Sequence, residues 1–218
     1  MNATDPKLEN PLNACCPSLE ICIPAREARV MPKGPDPKVQ LTDAAFRLLA
    51  KRRWSDLTLA GVARAAKLPL ASLQSIMPNK TALIGLMFSR LANETGRRYR
   101  PDSATDGVRD RLLDVCMTFF EIASTRKPAM RSLYDGIRSD PFVLLTARSE
   151  IVSAASWLLV LAEADTGAAP QVRALALAAI IARALPICLE DDREMSGTMA
   201  RIDADFRRSK WLFEERVG

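Results

Sequence analysis

One stretch, Leu57 to Lys80 (LTLAGVARAAKLPLASLQSIMPNK), limits what this chain can fold into more than any other. Leu59, Val62, Ala63 and Ala66 recur at i, i+3, i+4 and i+7, which places them on one face of a helix. Lys67-Leu68-Pro69 interrupts that period. A second short apolar set follows, in which Leu70, Leu73, Ile76 and Met77 share a face. Pro78 stops it, because the residue before a proline is pushed out of the α region. A helix of roughly eight residues, a tight corner and another short helix make a helix-turn-helix shape, whose second helix fits a DNA major groove.

The flanking sequence is helical on both sides. Asp36-Pro37 reads as an N-cap followed by proline in the first turn of a helix. Leu41, Ala44, Ala45, Leu48 and Leu49 then give the apolar stripe of that helix, which is expected to end near Arg52. Asn79 is placed to cap a fourth helix carrying Leu83, Leu86, Met87 and Leu91 on one face and running to about Arg98. Beyond it the spacing predicts helices from Val108 to before Pro128, from Pro128 to Ile137, from Asp140-Pro141 to about Glu163, and from Pro170 to Leu189, with Thr166-Gly167 as a loop. The helix from Pro170 is apolar nearly all round, so both its sides are expected to be covered, one by the core and one by a second subunit. A last helix with Met199, Ile202, Phe206 and Phe213 on a narrow seam resembles a coiled-coil face. No strand-like alternation of any length occurs. The expected class is all-α: a proline-rich disordered tail over residues 1–35, a helix-turn-helix unit over 36–92 and a helical body over 93–218.

Composition removes several kinds of chemistry. The 218 residues contain no histidine, which excludes a histidine-based triad, general base or metal site. No Gly-rich phosphate loop, nucleophile elbow or metal motif is present, so the chain is not expected to be an enzyme or to hold a cofactor. The five cysteines, Cys15, Cys16, Cys22, Cys116 and Cys188, form no CxxC pair. Their scatter and odd number suggest a reducing cytoplasm, with Cys116 and Cys188 as small buried hydrophobes. The N-terminus shows no basic start followed by a long apolar stretch, and Met31 is a second candidate start. The longest apolar run, Ala174 to Leu189, is broken by Arg183 and Pro186, so stable membrane insertion is not expected. The net charge is +5. From Lys38 to Lys80 eight basic residues face only Asp43 and Asp56, so the excess of positive charge sits on the helix-turn-helix unit, as a phosphate-binding surface requires.

Residues 37–92 resemble the DNA-binding domain of TetR/AcrR-type transcriptional regulators. The resemblance lies in LTDAAFRLLAKRRW for the first helix, LTLAGVARAAKL for the second, LPLASLQSIMPNK for the turn and third helix, and NKTALIGLMF for the start of the fourth. Its most specific piece is Pro78, Lys80 and Leu83. It implies a DNA-reading third helix, with Leu70, Ala71, Ser72, Gln74 and Ser75 toward DNA and Thr58 and Lys80 on phosphates. The sequence departs from the family where Arg53 and Lys67 replace usual glycines, at positions where a positive φ is commonly wanted. Pro69 replaces a small polar residue, and the third helix carries no Arg or Lys.

The implied activity is that of a dimeric regulator, by family default a repressor. Its partners would be a double-stranded operator, a second copy held through the two C-terminal helices, and a small effector. Phe119, Phe120, Met130, Tyr134 and Trp157 are the candidate lining of an apolar effector pocket in the body. The alternative is a helical lipid-binding protein of the same fold, similar to ubiquinone-biosynthesis accessory proteins, in which the C-terminal RRSKWLFEERV meets a membrane surface.

Overall fold

Helices account for nearly all regular structure in the computed structural model, which describes residues 36–101, 107–165 and 169–213; no strand occurs among them. The expected tail, Cys15, Cys16, Cys22, the Thr166-Gly167 loop and the last residues of RRSKWLFEERV lie outside the described residues.

The first helix, α1 (Pro37–Leu49), starts as its sequence dictates. Asp36 accepts a hydrogen bond from the Lys38 amide at 2.9 Å, and Pro37 fills a first-turn position that needs no donor. Leu41, Ala44, Ala45 and Leu49 are buried as the stripe requires, whereas Leu48 is only half-buried. Next come α2 (Leu59–Ala66), α3 (Leu70–Ile76) and α4 (Ala82–Arg98). Asn79 accepts from the Ala82 amide at 2.8 Å and so caps α4 across a lead-in turn.

The body comprises α5 (Val108–Ser124), α6 (Lys127–Ser139), α7 (Pro141–Leu161), α8 (Pro170–Glu190), α9 (Ser196–Arg208) and α10 (Lys210–Phe213). Asp140 caps α7 through the amides of Phe142 at 2.9 Å and Val143 at 3.4 Å. Helix α4 ties the N-terminal helices to the body by lying against α7. A Cβ on Gly85 would stand 2.6 Å from Glu150, and one on Gly96 would stand 3.1 Å from Leu161. Both pairs share one sequence offset, so α4 and α7 run parallel, and the glycines permit their close approach. One apolar core runs from Leu41 to Phe213, with Phe119 and Phe120 edge to face at 5.5 Å between ring centres. Cys116 and Cys188 are buried thiols within it, and burial pushes the Cys116 thiol up to about 12.

Two expectations about the C-terminal part need correction. The last helix is not continuous: α9 ends at Arg208 and α10 restarts at Lys210, with the Ser209 hydroxyl donating to the Asp205 carbonyl at 2.6 Å. Nor is its seam free for a partner. Ile202, Phe206 and Phe213 are buried within the same subunit, and only Met199 stays exposed. Ion pairs hold α9 down: Arg109 of α5 with Asp203, and the buried Asp205 with Arg201 at 2.9 Å and Arg183 of α8 at 3.5 Å. Helices α7 and α8 bear on the expectation about membrane insertion without overturning it. Each has 21 residues and is long and apolar enough to cross a bilayer, a test that core helices of soluble proteins also pass. The sequence reading missed this in α7 because it judged only the longest apolar run; here the two charges, Arg148 and Glu150, sit close together and leave the rest uncharged.

Candidate nucleic-acid interface

The helix-turn-helix is built from local bonds at α2. The Thr58 hydroxyl accepts from the Gly61 amide at 3.1 Å and caps its N-terminus. At the other end Lys67 adopts the left-handed conformation, φ 58°. The Leu68 amide then reaches the Ala63 carbonyl at 3.0 Å and the Lys67 amide the Arg64 carbonyl at 3.2 Å, the paired closure of a Schellman turn. Lys67 therefore occupies a conformation that glycine adopts at lower cost. Arg53, where a positive φ was also expected, does not have one.

Helix α3 projects from this turn with little anchorage. Pro69 precedes it without a side-chain cap. Leu73 is buried and Ser72 and Ile76 are half-buried, while Leu70, Ala71, Gln74 and Ser75 face solvent. Leu70 is 58% exposed, which corrects its placement on the inner face. The helix spans under two turns, so the periodicity alone could not separate Leu70 from Leu73. The exposed cations of the head lie on segments other than α3: Lys38 and Arg47 on α1, Lys51, Arg52 and Arg53 after it, and Arg64 and Lys67 on α2 and its turn. Arg47 reaches across to the Ala65 carbonyl at 3.3 Å, which brings the α1 and α2 cations onto one side.

The body grips these N-terminal helices through α6, and no sequence signal marked that joint. The Ser132 hydroxyl donates to the Arg52 carbonyl at 2.8 Å. Trp54, buried at 4% exposure, lies so tightly on Gly136 that a Cβ there would stand 2.3 Å from it. Glu94 of α4 accepts from Arg126 at 2.9 and 3.1 Å and from Arg90 at 2.6 Å, and Arg126 lies 4.9 Å over the Phe46 ring of α1. The contacts join residues up to 82 positions apart, which is why spacing could not reveal them.

Solved structures with this arrangement of helices exist. A TetR transcriptional regulator from Rhodococcus sp. RHA1 superposes with a TM-score of 0.56 at 15% identity, covering 78% of this chain and 94% of its own. The TetR transcriptional regulator of Nitrosomonas europaea gives 0.56 at 15%, covering 80% and 98%. The chain has the TetR-type fold. No protein-family model matches the sequence, and no curated protein matches it.

Within the TetR-type head, the residues that the resemblance assigns to DNA divide into two groups. Leu70, Ala71, Gln74 and Ser75 form one exposed surface on α3, with Thr58 exposed nearby at the start of α2 and Ser72 turned partly inward. Lys80 is different. Its ammonium donates to the carbonyls of Trp54 and Ser55 and lies 4.8 Å over the Trp54 ring. Burial lowers its pKa, and the charge of Asp56 opposes that shift. In this structure Lys80 clips the loop before α2 to the start of α4. None of the candidate pocket residues lines any of three cavities among the described residues. Phe119, Phe120 and Met130 are buried core, Tyr134 is half-buried against it, and Trp157 is 44% exposed. Two of the three cavities, of about 880 and 800 Å³, flank α1 where the head meets the body.

Proposed function

We propose that the chain is a dimeric TetR-type transcriptional regulator, a cytoplasmic repressor that binds duplex DNA through the head and is tuned by a small molecule. One observation carries this reading. Among the described residues, the cation of every ion pair belongs to α4 or the body, whereas Lys38, Arg47, Lys51, Arg52, Arg53, Arg64 and Lys67 of the head have no carboxylate partner. Unneutralised cations concentrated on the head that carries the exposed α3 favour phosphate binding, because each phosphate contact releases a counterion. Gln74 is the side chain suited to a base edge, pairing with adenine through its amide. Thr58 contributes a hydroxyl beside a helix N-terminus, which suits a phosphate. The absence of Arg and Lys from α3 points to modest base discrimination resting on strong backbone attraction.

The second copy would sit on α8. Val172 and Leu175 are 48% and 41% exposed and continue into exposed Ala179 and Ala182, with Met199 of α9 also exposed. We favour this stripe over the expected α9 seam because it is apolar and exposed, as are Trp157 and Val160 of α7. Fluorescence anisotropy tests the function: the probe is the chain's own upstream intergenic DNA beside a scrambled duplex, at low and physiological salt. Preference for the upstream probe that survives physiological salt supports the regulator. Weak binding, equal for both probes and lost with salt, rejects it and directs attention to bound lipid.

A further inference from the structure

The larger cavity at the joint, about 880 Å³, falls within the size range of small-molecule sites. One wall is the segment after α1, the other is α6 and the start of α7. Lys51, Arg52 and Arg53 line the first wall and Arg131 the second, against the carboxylates of Asp135 and Asp140. Asp140 is already engaged by two amides of α7. Thr81, before α4, and Val143, in the first turn of α7, also line the cleft; the two helix ends are capped by Asn79 and Asp140. Apolar surface comes from exposed Pro128, half-buried Val143 and the stems of the basic side chains, while Leu49 and Trp54 lie buried behind them.

We propose that this cleft binds a small organic anion with an aromatic-sized apolar body, such as an aryl carboxylate. A carboxylate matches the planar guanidinium forks of Arg52 and Arg53, while Arg131 beside them already donates to the Leu189 carbonyl at 2.9 Å. The apolar body covers Pro128, Val143 and the arginine stems, which an inorganic ion would leave bare. A neutral aromatic would leave the cations unanswered. Such a ligand touches head and body at once, next to the Trp54–Gly136 contact and the Ser132–Arg52 bond. Its occupancy would therefore bias how the head is held; that consequence rests on the regulator reading, while binding itself does not.

Isothermal titration of the full chain with 2-naphthoate and with its neutral counterpart 2-naphthamide tests the site. We expect saturable one-site binding of naphthoate, with naphthamide weaker by about tenfold or more, the order of one lost charge-assisted bond. Arg52→Gln/Arg53→Gln should weaken naphthoate by a similar factor with an unchanged melting curve, and Arg138→Gln, on α6 outside the lining, should leave it unaltered. Absence of saturable binding, equal affinity for the amide, or no effect of the double variant would overturn the site. Calorimetry needs no DNA, so its failure leaves DNA binding standing, and a failure of DNA binding leaves the site standing.

Discussion

The two helices on either side of the turn are held in different ways. Helix α2 is closed at both ends, by the Thr58 cap and the Lys67 turn, and buries Val62, Ala63 and Ala66. Helix α3 has no side-chain cap, ends on an extended Met77, and within its span buries only Leu73. The charge follows the same division: Arg64 and Lys67 accompany α2, while α3 is uncharged. On the proposed DNA-binding reading, the firm, basic helix would carry affinity and the lightly held, neutral one discrimination. Such a division separates backbone positioning from base reading, which depend on different groups.

Several substitutions break or sharpen that contrast. The largest effect is expected from Leu73→Ala, the one buried anchor of α3, at about 2–5 kcal/mol of stability by chemical denaturation, with loss of probe preference. Gly136→Ala comes next. It forces a methyl into Trp54 and should cost about 1–3 kcal/mol, read from the thermal midpoint and from faster proteolysis near Arg52 and Arg53. Thr58→Ala removes the α2 cap and should cost about 1 kcal/mol, whereas Ser75→Ala on α3 should stay within about 0.5 kcal/mol. If both cost the same, α2 is not the better-secured helix. Lys67→Gly should stabilise by about 1 kcal/mol while weakening DNA binding in low salt, since it relieves a left-handed residue and removes a cation.

The sequence made some of this legible and hid the rest for identifiable reasons. Helix starts were readable because proline and its capping neighbour punctuate them: Asp36-Pro37, Asp140-Pro141 and Pro170 all begin helices where expected. The cost at Lys67 was readable from its place in the turn, but the same argument failed at Arg53, whose loop closes without a positive φ. Leu70 was misplaced because a seven-residue helix has too few turns to define a face. Lys80 was assigned to phosphate, yet the carbonyls that hold it come from Trp54 and Ser55, twenty-six and twenty-five residues earlier. Of the candidate pocket residues, Phe119, Phe120 and Met130 serve the core, while the described cavities form between segments whose pairing only the fold reveals. The continuous C-terminal seam was a sum of two short helices that happened to be in phase.

The salt dependence of DNA affinity tests the central claim most directly. The slope of log K against log salt would be measured for the unaltered chain, for Arg47→Gln/Arg64→Gln/Lys67→Gln, and for Gln74→Ala. We expect the triple variant to lose about 2–3 units of slope, with its preference for upstream over scrambled DNA retained. Gln74→Ala should keep the slope and lose the preference. An unchanged slope in the triple variant, or a uniform loss on both probes in Gln74→Ala, would contradict the division of labour between α2 and α3.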